Sequence, residues 1–135
     1  MQFNKEIRME KMNVKPATGK LGVLCVGLGA VTSTFMTGVL MARKGLAKPV
    51  GSMTQYDKMR VGRGENKKYL HYGEIVPLAS LNDIVFGAWD VYPANAYESA
   101  VNAEVLQEKD INPVKDELEK IVPMKAAFDH NYALS

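Results

Sequence analysis

The stretch GKLGVLCVGLGAVTSTFMTGVLMARKG, residues 19–45, carries no charged side chain between Lys20 and Arg43. Two readings of it lead to different folds. A membrane span needs roughly 20 mostly apolar residues, and residues 21–42 are long enough. The interior argues the other way. Gly22, Gly27, Gly29 and Gly38, with the hydroxyls of Thr32, Ser33, Thr34 and Thr37, dilute the apolar content. Each Leu, Val or Phe contributes only about −0.3 to −0.6 kcal/mol to insertion, so the span is marginal. The pattern also changes midway. LGVLCVG is a short, branched, apolar run, as expected of a strand buried on both faces. LGA is a tight turn. From Ala30 the apolar residues fall at Val31, Phe35, Val39 and Leu40, near a helical period, with Met36 beside them. Arg43, Lys44 and Gly45 read as a helix end, with cations at the negative pole and glycine just beyond. The expected unit is strand, turn and helix. The alternative is a small membrane-anchored protein with one span over 21–42.

A strand–turn–helix unit of this kind suits a phosphate. Gly27 permits the sharp turn out of the strand. Gly29 has no side chain, so backbone can approach a pyrophosphate closely. The helix beginning near Ala30 points free N–H groups and its positive dipole end at the anion. The motif reads G-x-G-x-x-T, with Thr32 where a third glycine is usual. That threonine costs close helix–strand packing, but its hydroxyl could bond a phosphate oxygen. On the motif alone, a plain structural glycine turn is an equal reading.

The totals exclude several classes. A chain of 135 residues can build one modest domain with a real core. With 47% hydrophobic and 24% charged residues the composition is that of a soluble protein. A net charge of +2, without a basic stripe interleaved with aromatics, gives no reason to expect nucleic acid. The single cysteine, Cys25, lies in an apolar run and is expected to be a buried, inert thiol. His71 and His130 lack a ligand spacing, so no metal site is expected.

Outside the opening stretch, residues 1–18 read as a polar leader closed by Pro16 and Thr18-Gly19. SMTQY (52–56) is a candidate short strand. DKMRVGRGENKK (57–68) reads as a solvated basic loop. Arg60, Arg63, Lys67 and Lys68 could meet a sugar phosphate there, or form only a solvated charge run. The acidic residue expected about 20 positions past the glycine motif is missing. DIVFGAW (83–89) is a second buried strand candidate ending at Asp90, with Trp89 read as core. A helix over 94–106 follows, with Pro93 in its first turn. In an open parallel sheet ligands sit outside the carboxyl ends of strands. Asp90 is at such an end and could accept two ribose hydroxyls, or it could cap the next helix. INPVKDELEKIVP (111–123) reads as a compact helix capped by Asn112 and stopped by Pro123, with exposed pairs Asp116–Lys120 and Lys115–Glu119. MKAAFDHNY then runs on without a closing element.

The resulting order is the first mononucleotide-binding half of a doubly wound α/β parallel sheet, a partial Rossmann-like fold. Its uncovered apolar faces predict a fragment or a dependence on a partner. KLGVLCVGLGAVTSTF, GSMTQ, NDIVFGAWDVYPANAYESA and FDHNY, in that order, resemble the myo-inositol-1-phosphate synthase (inositol-3-phosphate synthase) family, especially its bacterial forms, over about residues 15–132. The resemblance implies an NAD-dependent isomerase of inositol and phospholipid biosynthesis. It would convert glucose 6-phosphate to inositol 3-phosphate by oxidation, enolisation, intramolecular aldol cyclisation and reduction. It implies that residues 19–135 are the N-terminal part of the NAD-binding domain of a longer, cytoplasmic enzyme, expected to be a homo-oligomer. The catalytic residues would lie further along. Gly27, Leu28, Gly29, Ala30, Val31 and Thr32 match the family's pyrophosphate loop, and Asp90 matches its cofactor-contacting aspartate. Ala126 and Ala127 align loosely with a further cofactor-contacting stretch. Another NAD-dependent oxidoreductase half-domain is the remaining alternative.

Overall fold

The structure, a computed structural model, describes residues 15, 16 and 18–127. Most of the expected leader, and the FDHNY motif with His130, lie outside the described residues. The opening stretch is a strand, a turn and a helix. Strand β1 runs Leu21–Val26 and helix α1 runs Ala30–Arg43. No helix among the described residues is long and apolar enough to cross a membrane. The single-span reading of residues 21–42 is therefore overturned by the break at Gly27–Gly29.

Strand β4, Ile84–Asp90, pairs in parallel with β1, from Leu21 opposite Ile84 to Val26 opposite Trp89. The two-residue strand β5, Met124–Lys125, adds in parallel to the far side of β4. The sheet order is thus β1-β4-β5. Both crossovers step in the same direction, so two right-handed connections place their helices on one face. That face holds the core. Met36 and Leu40 of α1 pack with Ala88 of β4 and with Ala96 and Ala100 of helix α4, Ala96–Asn102. Ile111, Val114 and Leu118 complete the core from the last helical segment. Fully burying each large aliphatic side chain here contributes about 1.5–3 kcal/mol.

Alternation along the strands turns Leu24, Val26 and Val85 to the other face, where they are 60%, 89% and 46% exposed. The expectation of a strand buried on both faces is corrected: among the described residues, helices cover one face only. Cys25 points to the covered face and is half-buried against the core rather than fully enclosed. Trp89 points away from it, is half-buried and lies outside the core cluster.

The α1 packing face also differs from the sequence reading. Val39 and Leu40 are buried as expected, but Val31 is 84% exposed and Phe35 is exposed as well, and Ser33, Met36 and Thr37 are buried in their place. The small hydroxyl residues win because α4 presents only Ala96 and Ala100. Their polar groups are satisfied within the helix, Thr37 Oγ1 donating to the Ser33 carbonyl at 2.8 Å.

Residues 44–83 are an insertion between α1 and the next sheet strand. SMTQY is not a strand: Met53–Tyr56 forms the short helix α2. The basic loop is a hairpin instead, β2 (Lys58–Val61) antiparallel to β3 (Lys68–His71), followed by α3 (Tyr72–Ile75). The glycines that suggested a loop form its turn, with Gly62 and Gly64 at positive φ. The predicted 94–106 helix is shorter, since Asn95 caps it and Pro93 lies ahead of the cap. The last helical segment starts earlier than Asn112: α5 is Glu108–Ile111, then a 3-10 turn through Pro113, then α6, Lys115–Leu118. Gln107, not Asn112, is its cap. Lys115 and Glu119 pair at 3.6 Å. No Asp116–Lys120 ion pair forms among the described residues. β5 corrects the expectation of a tail without a closing element.

Arg43 ties α1 to the sheet. Its Nε donates to the Leu81 carbonyl at 2.7 Å, a second nitrogen donates to the Ile84 carbonyl, and the guanidinium lies 5.4 Å from the Phe86 ring centre. Arg43→Leu keeps the packing but removes both donors. We expect the thermal unfolding midpoint to fall, corresponding to about 1–3 kcal/mol, in a calorimetric comparison with the wild type.

Candidate functional site

The carboxyl ends of β1 and β4 lie side by side, and the loop between β1 and α1 starts there. Gly27 has φ +93°, a conformation that favours glycine, and its N–H still continues the ladder, donating to the Trp89 carbonyl at 2.7 Å. Leu28 turns inward, and its side chain is only 2% exposed. Gly29 is extended and precedes the first helical residue, Ala30, with no side chain to cap the helix. The first helical backbone bond is Ser33 N–H to the Gly29 carbonyl. The N–H groups of Gly29, Ala30, Val31 and Thr32 therefore have no acceptor among the described residues. The first turn of α1 contains no acidic residue, so nothing in the helix offsets the positive dipole end.

Two side chains fix this loop. Thr32 Oγ1 donates to the Gly27 carbonyl at 2.8 Å, so its proton braces the turn rather than facing an anion. Asp90 does more. Its Oδ2 accepts the Leu28 N–H at 2.6 Å and its Oδ1 accepts the Tyr92 N–H at 2.9 Å. These amides, Tyr92 first and Leu28 next, hold the carboxyl below its ordinary range, against a smaller opposing effect of burial. The capping alternative is excluded. Helix α4 is capped by Asn95, which accepts the Glu98 N–H while Glu98 accepts the Asn95 N–H.

Sheet order also resolves the missing acid. Counting residues past the glycine motif lands in the 44–83 insertion. Counting strands in space lands on β4, β1's neighbour, and Asp90 ends it. Ala126 joins the same corner, its N–H donating to the Asp90 carbonyl at 2.9 Å. By contrast Arg60, Arg63, Lys67 and Lys68 are exposed in and around the hairpin, and none lines the cleft beside the glycine loop.

That cleft has a volume of about 280 Å³. It is lined by the glycine loop at Leu28, Gly29 and Ala30, by Asp90, and by Tyr92, Ser99 and Asn102. The sequence reading missed these last three. For Ser99 and Asn102 the signal was weak: two polar residues three apart on α4, either side of the core residue Ala100. A larger apolar groove of about 570 Å³ runs along the Phe35 and Gly38 side of α1, away from the free amides. Its lining is mostly apolar, with Thr34, Lys48, Ser52, Thr54 and Gln55 among its residues.

The arrangement fits a diphosphate. Four backbone N–H groups have no partner among the described residues, the first turn of α1 holds no acidic side chain, and a Cβ at Gly29 would meet nothing within 4 Å. Leu28 contributes shape only, since its amide is held by Asp90. An ionised carboxylate one strand over retains acceptor capacity for sugar hydroxyls.

Comparison with known proteins agrees with this geometry. An NAD-binding family model described as myo-inositol-1-phosphate synthase matches residues 21–135. The chain is 60% identical over 124 residues to inositol-3-phosphate synthase 1 of Bacteroides thetaiotaomicron, covering 91% of this chain and 28% of that protein. It is 32% identical over 128 residues to isozyme 1 of Arabidopsis thaliana, covering 84% of this chain and 24% of the relative. The crystal structure of inositol-3-phosphate synthase from Caenorhabditis elegans superposes with a TM-score of 0.70 at 27% identity, over 85% of this chain and 25% of that one. The chain thus spans about a quarter of the length of the relatives it matches.

Proposed function

This chain belongs to the myo-inositol-1-phosphate synthase family, and from that premise we propose that it is the N-terminal part of the NAD-binding domain of an inositol-3-phosphate synthase. The domain would begin near residue 19. The observation that carries the cofactor assignment is the run of unpartnered amides over Gly29–Thr32 beside an ionised Asp90. In this reading Gly29, Ala30, Val31 and Thr32 donate backbone N–H groups to the diphosphate. Gly27 sets the turn, Leu28 anchors it in the core, and Asp90 accepts ribose hydroxyls. When bound, NAD supplies the hydride acceptor and donor for the isomerisation of glucose 6-phosphate to 1D-myo-inositol 3-phosphate. What these residues do is hold and orient. The braced loop enters binding with its amides already aimed, so little ordering entropy is lost. The full-length protein is proposed to act in the cytoplasm as a homo-oligomer. The groups that move protons on the sugar lie outside this chain.

The test is a calorimetric titration of the full-length protein with NAD, paired with an assay of inositol phosphate formation. We expect saturable NAD binding and turnover of glucose 6-phosphate by the full-length protein, and no turnover by the 135 residues alone. Full-length protein that ignores NAD would remove the cofactor reading. Inositol phosphate formed by the isolated 135 residues would remove the partial-domain reading.

A further inference from the structure

The insertion at residues 44–83 contributes nothing to the lining of the cofactor cleft, yet it concentrates positive charge. Its hairpin, Lys58–His71, holds five cations, Lys58, Arg60, Arg63, Lys67 and Lys68, against one acid, Glu65. None of the five forms an ion pair among the described residues. The antiparallel register sorts the strands into two faces. Met59, Val61, Lys68 and Leu70 share one, and Leu70 is the only strand residue that is not exposed. Lys58, Arg60, Tyr69 and His71 share the other, where Tyr69 is 59% exposed beside Arg60. A two-stranded hairpin left in water is marginally stable, and unpaired like charges add repulsion. This one is built to be covered by something anionic.

The complement lies on the same chain. Residues 104–120 hold six acids against three lysines. Glu104, Glu108 and Asp116 are exposed and have no ion pair among the described residues. Within one chain, no ion pair among the described residues joins this segment to the hairpin. Resting on the homo-oligomer reading above, we propose that the hairpin docks on the acidic 104–120 segment of a second copy of this protein. In a two-fold pair the contact occurs twice, each hairpin meeting the other copy's segment. The opposite charges steer the encounter and fix its register, and Tyr69 supplies an apolar anchor among the cations.

The experiment measures association of the full-length protein by sedimentation at about 0.05 M and 0.5 M salt. Wild type is expected to associate, and more weakly at the higher salt. Two variants reverse one surface each: Lys58→Glu with Arg60→Glu, and Glu108→Lys with Asp116→Lys. All four positions are exposed, so melting curves should match the wild type. Each variant alone should associate about tenfold to a hundredfold more weakly. Mixing the two variants one to one should restore association, because every hairpin then meets a segment of opposite charge. Association unchanged in both variants overturns the inference while leaving the oligomer reading intact. A loss that mixing does not repair places the hairpin's contact within its own chain and overturns the inference too. Wild type that stays monomeric overturns the homo-oligomer reading beneath it.

Discussion

Asp90→Asn in the full-length protein is expected to weaken NAD binding by roughly tenfold to a hundredfold, almost as much as Asp90→Ala. Asparagine is nearly isosteric, so a substitution that only touched ribose should be mild. Here it is not mild, because both carboxylate oxygens face donors, the Leu28 and Tyr92 amides. An asparagine must turn its NH2 toward one of them. The glycine loop then loses a hydrogen bond to a charged group, about 1.5–3 kcal/mol, and relaxes from its binding shape. The check is NAD affinity with a parallel pH series of thermal stability. The folded carboxyl is held below its ordinary value of 3.8. Its stabilising contribution is therefore fully present above the ordinary aspartate range and is lost as pH falls through the lowered folded value. The asparagine variant should lack that acid-side loss. Equal NAD affinity in wild type and Asp90→Asn would show that Asp90 neither holds the loop nor meets the cofactor.

What was legible in the sequence follows from how local each signal is. The strand, turn and helix at 21–43 were readable because every cue sits within one window: branched run, paired glycines, helical period and basic end. Asp90 was readable as a strand end. Its bond to Leu28 was not, because it joins residues 62 apart and depends on β4 lying beside β1. The hairpin in 44–83 was read as a loop since its strands are four residues long, charged and almost wholly exposed, so the Lys-Met-Arg-Val alternation of β2 sits among glycines and cations without marking a buried face. On α1, Val39 and Leu40 were legible, but the first two turns were misjudged because Val31 and Phe35 are the larger residues. Close approach to the alanines of α4 selects the small ones instead. Ser99 and Asn102 became visible only once the fold brought α4 and the glycine loop to one cleft.

Gly29→Asp should separate folding from binding more sharply than any other change in the chain. Gly29 has φ −93° and open space around its Cβ position, so any L-residue fits without strain. It is also the N-cap of α1, which has neither a side-chain cap nor an acid in its first turn. An aspartate there would accept the Val31 or Thr32 N–H and meet the helix dipole. Capping contributes a few tenths of a kcal/mol over glycine, and the dipole about 0.3–1 kcal/mol more. The variant should therefore melt at or slightly above the wild-type temperature. Its carboxylate would stand where the diphosphate is proposed to lie and would occupy the amides meant for it. Two like charges about 4 Å apart repel by about 4 kcal/mol at an effective dielectric constant of roughly 20. NAD affinity should fall about a thousandfold, read by calorimetric titration beside the melting curve. A generic structural glycine turn predicts the stability gain without the binding loss. A well-folded Gly29→Asp protein that still binds NAD like the wild type would therefore place the diphosphate elsewhere.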